Sequence, residues 1–160
     1  MTYTLIDLIR EEHIIVGLEP VDAEDVIRML AGRLIETGYA VEGFGQDVWD
    51  REQEFPTGLP TEPVGVAIPH ADPDHVLKSA VCVGVLTESV SFTQMGIDTS
   101  QSVEALLIFM LAIKEKEKQV VMIQQLVELI QNPTLLTNLT AVRDADQAFN
   151  LITSSVAREP

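Results

Sequence analysis

Two residues of the chain have side chains suited to phosphate chemistry. His70 ends the stretch Ala67-Ile68-Pro69-His70, and Arg51 lies shortly before the turn Pro56-Thr57-Gly58. An imidazole with a reference pKa of about 6.5 is largely neutral near pH 7 and keeps a lone pair for attack on phosphorus. A planar, permanently charged guanidinium suits the equatorial oxygens of a transferring phosphoryl group. One nucleophile, one cation and a tight turn therefore predict a phosphate site.

Each of these residues also has a purely structural interpretation. Arg51 could form a surface ion pair with Glu54 or Asp47, which would be worth only about 0.3–0.5 kcal/mol. The Thr57 hydroxyl and the Gly58 N–H could donate to a phosphate, or they could simply form the turn, which is the interpretation we favour. The phosphate hypothesis thus depends on the joint pattern rather than on any one residue.

A metal centre is an alternative kind of site in the same region. His70, Asp72, Asp74 and His75 lie close together in the sequence, and histidine and carboxylate are suitable ligands for zinc or manganese. Pro73 interrupts this cluster, and no histidine pair has the spacing that places two ligands on one face of a helix. The metal hypothesis is therefore the less favoured of the two.

Composition and charge limit the possible partners. The chain has 160 residues, 46% of them apolar, and a net charge of −15, which argues against nucleic acid or an anionic membrane as a partner. Cys82 is the only cysteine, so an internal disulfide is excluded. The N-terminal segment has no signal-peptide features, and the longest apolar run, Ala105 to Ile113, is shorter than the ~20 residues of a membrane helix. We therefore expect a soluble, cytoplasmic protein.

A helix and a strand must position the two candidate residues. A helix from Glu42 to about Glu54 ends at a Phe-Pro pair, which places Arg51 in its last turn. The run from Val64 to Ile68 predicts a strand that leads to the histidine. Because proline lacks an N–H, pairing should stop at Pro69, just where the imidazole emerges from the sheet.

The rest of the chain predicts the elements around this pair. Apolar runs without clean alternation are typical of strands covered on both faces, and apolar residues at helical spacing predict helices. We predict strands at His13–Leu18, Ala80–Leu86 and Val103–Ala112, helices that begin at Asp22, at the charged run Lys114–Lys118 and at Asp144, a loop at Ser91–Gly96 and a turn at Thr134–Leu139. The order β-α-α-β-β-β-α-α predicts a single α/β (α+β) domain, a mixed β-sheet flanked by helices on both faces.

The spacing of the two motifs resembles that of a known family. The phrase Arg-Glu-x-Glu-Phe-Pro-Thr-Gly at 51–58 is followed by nine residues, Leu59 to Ala67, and then by Ile-Pro-His. This pattern is similar to the enzyme IIA domains of the sugar phosphotransferase system (PTS), of the fructose–mannitol type and closest to its galactitol-like branch. The resemblance covers nearly the whole chain. It implies one type-2 EIIA domain at 1–160, with a mixed sheet flanked by helices.

The resemblance implies a phosphoryl relay without a cofactor or a metal. The histidine that matches His70 takes a phosphoryl group from phospho-HPr and passes it to a cysteine of a IIB component, which serves a membrane IIC component that takes up a sugar or sugar alcohol such as galactitol. Chemistry assigns to Arg51 the stabilisation of the phosphoryl oxygens. His70 would thus be a phosphohistidine.

The sequence departs from many mannitol- and fructose-type members at one position. Those members have a second histidine at the start of the helix after the last central strand, whereas Gln119 stands there in this chain, as in galactitol-like members. A glutamine can donate a hydrogen bond to a phosphate oxygen but cannot carry charge; it could equally be plain helix surface. The departure implies that His70 works alone.

A second functional class remains open within the resemblance. Nitrogen-type IIA proteins are regulatory modules that signal through phosphorylation of the corresponding histidine and do not feed a transporter. Phosphorylation of His70 would be common to both classes, so the partner that receives the phosphoryl group decides between them.

Overall fold

A mixed sheet forms the centre of the computed structural model, which describes residues 3–96 and 100–157. Five strands are hydrogen-bonded within this part of the chain, in the spatial order β1-β4-β5-β3-β2. Their ranges are β1 Ile9–Leu18, β2 Gly58–Leu59, β3 Gly65–Ala67, β4 Ala80–Thr93 and β5 Ser102–Ala112. The pairs β1·β4 and β3·β5 are parallel, whereas β4·β5 and β2·β3 are antiparallel. The predicted mixed sheet is confirmed.

Helices cover both faces of this sheet. The helices are α1 Ala23–Glu36, α2 Phe44–Glu54, α3 Lys116–Leu129, α4 Pro133–Leu139 and α5 Ala145–Ala157, with short 3-10 helices at Leu5–Leu8 and Pro73–His75. Successive residues of β4 alternate between the two layers: Val81 and Val83 pack with α3, α4 and α5, and Cys82 packs with α1 and α2. This alternation explains why the buried parts of the central strands, Ala80–Leu86 of β4 and Ala105–Ala112 of β5, contain no polar side chains. The prediction of helices on both faces is confirmed.

The local signals for the helices correspond to observed caps. The Asp22 side chain accepts a hydrogen bond from the backbone of Asp25, and Gly38 follows α1 with φ of +84°, a conformation that side chains disfavour. The helix α2 ends at Glu54, with Phe55 as its C-cap directly before Pro56, and Arg51 lies in its last turn as predicted. The helix α3 begins at Lys116, within the charged run Lys114–Lys118. None of the helices in the described ranges is long and apolar enough to span a bilayer.

Several predicted boundaries were wrong, each for an identifiable reason. The strand β1 begins at Ile9 rather than His13, because three exposed charged residues at 10–12 precede its buried part. The strand β4 continues to Thr93 through part of the predicted loop, because Phe92 pairs with Val103 of β5. The segment expected to be a turn is α4, with Pro133 in its first turn and the Asn132 side chain as its cap.

The short strand β2 was not predicted, and it adds a fourth strand to the expected run of three. It forms just after the Pro-Thr-Gly turn and pairs with β3. A Cβ atom on Gly58 would lie 2.7 Å from the carbonyl oxygen of Thr93, so glycine permits this close approach to the end of β4. The turn that precedes the candidate site is thereby part of the sheet.

Candidate active site

His70 lies at the end of the β3 segment, beside β5. Leu111 donates its N–H to the carbonyl oxygen of Pro69 at 3.0 Å, and His70 forms a parallel bridge with Leu111. The expectation that pairing stops at Pro69 is therefore wrong, because a proline lacks only its N–H and its carbonyl can still accept. The imidazole does not emerge from the sheet either: His70 is 7% exposed.

The environment of the imidazole determines which ring nitrogen is free. Nδ1 of His70 lies 2.9 Å from the carbonyl oxygen of Ile68, and a carbonyl can only accept, so Nδ1 carries the proton in this contact. The neutral ring therefore has its lone pair on Nε2. Burial lowers the pKa of His70, and the charge of Arg51 lowers it further, although the bond to Ile68 and the carboxylate of Asp72 oppose the shift. The ring is neutral at pH 7.

Arg51 contributes its positive charge to the same site without being neutralised. Its guanidinium carbon lies 5.0 Å from the ring centroid of Phe55, a stacking arrangement that orients the planar group. Nε of Arg51 is buried and makes no hydrogen bond to any residue in the described ranges. The alternative ion pairs with Glu54 and Asp47 are absent from that part of the chain, where five other ion pairs occur.

An open groove of about 270 Å³ includes Ala71, the residue that follows His70, in its lining. It lies between α2 and the loop that follows His70, and it is lined by Arg51 and Ala71 together with carboxylates. These carboxylates are Asp47, Asp50, Glu54, Asp72 and Asp74. The guanidinium of Arg51 is thus the positive charge on the wall of an otherwise acidic groove. Of the charged groups that line the groove, it is the one that would attract an anion.

Thr57 is buried in the turn and contacts other protein groups. It is 2% exposed; its hydroxyl donates to Oε1 of Glu52 at 2.8 Å, and its N–H donates to Oε2 at 2.8 Å. The N–H of Ile68 donates to the Thr57 hydroxyl at 3.2 Å. Because the single hydroxyl proton goes to Glu52, these bonds agree with the turn interpretation of Thr57 rather than with a bond to phosphate.

Glu52 binds Thr57 beside the candidate site, and our sequence analysis did not identify it. It is 7% exposed, and burial raises its pKa to about 6, partly opposed by the bonds from Thr57. The sequence does contain a signal: Glu52 follows Phe44 and Val48 at intervals of four residues, on the buried face of α2. A carboxylate buried on the apolar face of a helix is unfavourable unless hydrogen-bond donors contact it. Thr57 supplies two such donors, its N–H and its hydroxyl.

Gln119 is adjacent to the candidate nucleophile in space. It lies in the first turn of α3, is 8% exposed, and donates a hydrogen bond from Nε2 to the carbonyl oxygen of Ala71 at 2.9 Å. The interpretation of Gln119 as plain helix surface is therefore wrong. Its carboxamide holds the residue directly after His70 against α3.

We expect Gln119→Ala to reduce phosphoryl acceptance by only a few-fold, because the loop loses one hydrogen bond, about 1 kcal/mol, and no charge. The measurement is the rate of labelling from a phosphorylated donor, with urea unfolding in parallel. Gln124→Ala is the matched control, since Gln124 is exposed on the same helix. A loss of several hundred-fold would contradict this expectation.

The residues of the metal hypothesis do not converge. Nδ1 of His75 contacts Oδ2 of Asp47 on α2, and Asp72 pairs with Lys116 of α3 at 3.7 Å. Across residues 3–96 and 100–157, no group of three or more His, Cys, Asp or Glu side chains could hold a metal ion. The geometry instead supports nucleophilic chemistry at a single imidazole.

The imidazole of His70 is neutral, has a free Nε2 and feels the charge of Arg51, an arrangement suited to nucleophilic attack on an anionic group. The sequence matches the family model "Phosphoenolpyruvate-dependent sugar phosphotransferase system, EIIA 2" over residues 7–155, and the chain belongs to this family. Proteins of this family are phosphotransferase components that carry phosphohistidine. The predicted family and the predicted class of activity are thus confirmed.

Individual relatives share the sequence and the fold. The galactitol-specific EIIA component of Escherichia coli K12 is 28% identical over 123 residues, 77% of this chain and 81% of the relative. The mannitol-specific EIICBA component of Pasteurella multocida is 26% identical over 148 residues, 91% of this chain and 22% of that protein. The complex of mannitol enzyme IIA and phosphorylated enzyme IIB from Escherichia coli superposes with a TM-score of 0.74 at 25% identity, covering 92% of this chain and 99% of the other.

Proposed function

We propose that His70 is the phosphorylated residue and that the protein relays a phosphoryl group from phospho-HPr to a cysteine of a IIB component. The observation that carries this proposal is the hydrogen bond from Nδ1 of His70 to the Ile68 carbonyl oxygen. It leaves Nε2 as the nucleophile in a ring that burial keeps neutral. Membership of the EIIA family supports the proposal.

The transfer consists of two displacements at phosphorus. In the first, the lone pair of Nε2 of His70 attacks phosphorus, the N–P bond forms, and the bond to HPr breaks with its electron pair remaining on HPr. In the second, a thiolate of the IIB component attacks the same phosphorus, the N–P bond breaks, and the electron pair returns to Nε2. The proton stays on Nδ1 throughout, hydrogen-bonded to the Ile68 carbonyl oxygen. No proton transfer within the chain is therefore required.

We assign to Arg51 the stabilisation of the negatively charged phosphoryl oxygens during transfer. Phosphoryl transfer depends mainly on positioning and on neutralisation of charge. The contact of Arg51 with the Phe55 ring orients a planar set of donors, and Arg51 lines the open groove, where an anionic oxygen can approach it. A guanidinium is suited to bidentate contact with such oxygens.

Gln119 and Thr57 have supporting roles in this proposal. One amide hydrogen of Gln119 holds Ala71, and the second is available for an oxygen of the phosphoryl group. Thr57 acts on the backbone of Ile68 rather than on phosphate. His70 alone carries the group, because glutamine stands where a second histidine occurs in other members.

The relatives of this chain support the identity of the partners and of the sugar class. The mannitol relative is an EIICBA component, and the solved complex joins enzyme IIA to phosphorylated enzyme IIB. We propose that this chain likewise serves a IIB component and a membrane IIC component. The galactitol-specific relatives favour galactitol or a similar sugar alcohol as the transported substrate.

Phosphotransfer followed by a chase tests the relay. Phospho-HPr is expected to label the protein once, with the acid-labile, base-stable character of phosphohistidine, and addition of a IIB component is expected to remove the label. A protein that takes up label from HPr but gives it to none of the IIB components of its own cell would instead be a regulatory module. Failure of labelling would refute the proposal as a whole.

The rate of labelling is expected to be level above pH 7 and to fall only at a pH below the ordinary histidine value of 6.5. Burial lowers the pKa of His70, so the lone pair on Nε2 is lost to a proton only in more acidic solution. Single-turnover rates with a fixed concentration of phospho-HPr, from about pH 5 to 8, measure the midpoint. A midpoint above the ordinary histidine value would contradict the buried, neutral imidazole.

A further inference from the structure

We propose that Glu52 is a positioning residue for His70, and that its carboxylate acts through Thr57 and Ile68 to keep Nε2 of the imidazole free. The inference rests on the proposed role of His70 as phosphoryl acceptor, which it deepens. Glu52 lies next to Arg51 in the sequence, so the last two turns of α2 would supply both the cation of the site and the orientation of its nucleophile.

The first link is a two-point contact between Glu52 and the turn after α2. Both carboxylate oxygens accept from Thr57, one from its N–H and one from its hydroxyl, each at 2.8 Å. An ionised carboxylate can only accept, so the hydroxyl proton of Thr57 must point toward Glu52. Because the hydroxyl proton is donated to Glu52, the hydroxyl oxygen can act toward other groups only as a hydrogen-bond acceptor.

The second link joins Thr57 to the strand that carries the histidine. The N–H of Ile68 donates to the Thr57 hydroxyl oxygen at 3.2 Å and to the Thr57 carbonyl oxygen at 3.3 Å. Ile68 is fully buried, so water does not compete for this N–H. The direction of the Thr57 hydroxyl, which Glu52 sets, therefore decides whether Ile68 has a second acceptor beside the Thr57 carbonyl.

The third link reaches the nucleophile. The carbonyl of Ile68, whose N–H is bound to Thr57, accepts from Nδ1 of His70 at 2.9 Å. Because the tautomer of a neutral imidazole follows the hydrogen bond that one nitrogen makes, the placement of this carbonyl selects the form with a free Nε2. The chain of contacts runs from Glu52 to His70 through buried groups alone.

The choice of residue at position 52 is difficult to explain by stability. Its neighbours along the buried face of α2, Phe44 and Val48, are apolar and fully buried, and burial opposes the ionisation of the Glu52 carboxyl, as its raised pKa shows. A buried carboxylate is weak support for stability compared with an apolar side chain of similar volume. A role in orienting the Thr57 hydroxyl explains why a glutamate stands at position 52, because an ionised carboxylate can only accept hydrogen bonds.

Nitrogen-15 NMR of the imidazole in the unphosphorylated protein tests this coupling directly. In the wild type and in Thr57→Ser, which keeps the hydroxyl, we expect the tautomer protonated on Nδ1. In Glu52→Gln, which reverses one hydrogen bond, and in Thr57→Val, which removes the hydroxyl, we expect a substantial population protonated on Nε2. Glu128→Gln, an exposed change on α3, is the matched control and should resemble the wild type.

Transfer kinetics give the second measurement. We expect Glu52→Gln and Thr57→Val to lower the maximal rate of labelling about tenfold, the effect of one hydrogen bond, with an unchanged KM for phospho-HPr. Thr57→Ser should transfer at nearly the wild-type rate. A Glu52→Gln protein that folds and keeps the wild-type tautomer or the wild-type rate would overturn the inference; if Glu52→Gln does not fold, the contrast between Thr57→Val and Thr57→Ser decides it.

The two measurements separate this inference from the proposed function. The NMR experiment needs no donor, so it decides whether Glu52 and Thr57 control the tautomer even if HPr is not the physiological donor. Failure of the wild type to accept label would refute the relay. An altered tautomer in a variant that still transfers at the wild-type rate would overturn the positioning role and leave the relay intact.

Discussion

Replacement of His70 by alanine is expected to abolish labelling by phospho-HPr. The side chain supplies the only nucleophile in the proposed transfer, and the bond from its Nδ1 to Ile68 leaves Nε2 as the atom that attacks phosphorus. No neighbouring group replaces it, because Gln119 stands where a second histidine would lie and cannot form a stable phosphoramidate. The expected loss exceeds 1,000-fold, the order seen when a covalent nucleophile is removed (~10³ or more). Incorporation of label per mole of protein measures it.

His75→Ala is the matched control for this experiment. His75 lies in the loop after the site and pairs with Asp47, so its removal alters a histidine nearby without touching the proposed nucleophile. We expect this variant to take up label fully. Stoichiometric labelling of His70→Ala, at any residue, would show that the assignment of the phosphohistidine is wrong, provided that circular dichroism confirms that both variants fold.

Replacement of Arg51 by lysine is expected to lower the rate of transfer about 100-fold, the usual effect of removing one donor from a preorganised charge-stabilising site. Lysine keeps the positive charge but loses the planar set of donors and the stacking on Phe55 that orients it. The free energy of unfolding should change little, because Arg51 makes no ion pair within the described ranges. Single-turnover labelling and urea unfolding measure the two quantities.

Arg28→Lys is the corresponding control at an arginine that has ordinary surface contacts. Arg28 bonds to Glu24 and Gln46 on the surface formed by α1 and α2, away from the groove, so its conservative replacement should leave transfer unchanged. An unaltered rate in Arg51→Lys would return Arg51 to a structural role. A large loss of stability in that variant would show that the guanidinium holds the end of α2.

Much of the site's immediate framework could be predicted from short stretches of sequence. The Phe-Pro pair after α2 and the helical spacing of Phe44 and Val48 placed Arg51 in the last turn, and the apolar run before Pro69 placed His70 at the end of a strand. Where the prediction of pairing at the site failed, a strand distant in sequence was the cause. The carbonyl of Pro69 is paired because β5 lies beside it, and no local feature reveals that neighbour.

The sequence by itself determined the family, the candidate nucleophile and its cation, because motifs, caps and periodicity depend on residues within a few positions of one another. The tertiary structure decided which nitrogen of His70 is free, that Glu52 binds Thr57 and Thr57 binds Ile68, and that Gln119 holds Ala71 from 48 positions away. The bond of Gln119 joins segments that meet only through the tertiary fold, whereas the bonds of His70 to Ile68 and of Thr57 to Glu52 join residues close in sequence and depend on the backbone directions that the folded chain gives them. A hydrogen bond requires an approach within about 3 Å and a defined direction, and only the packed arrangement of strands and helices provides both.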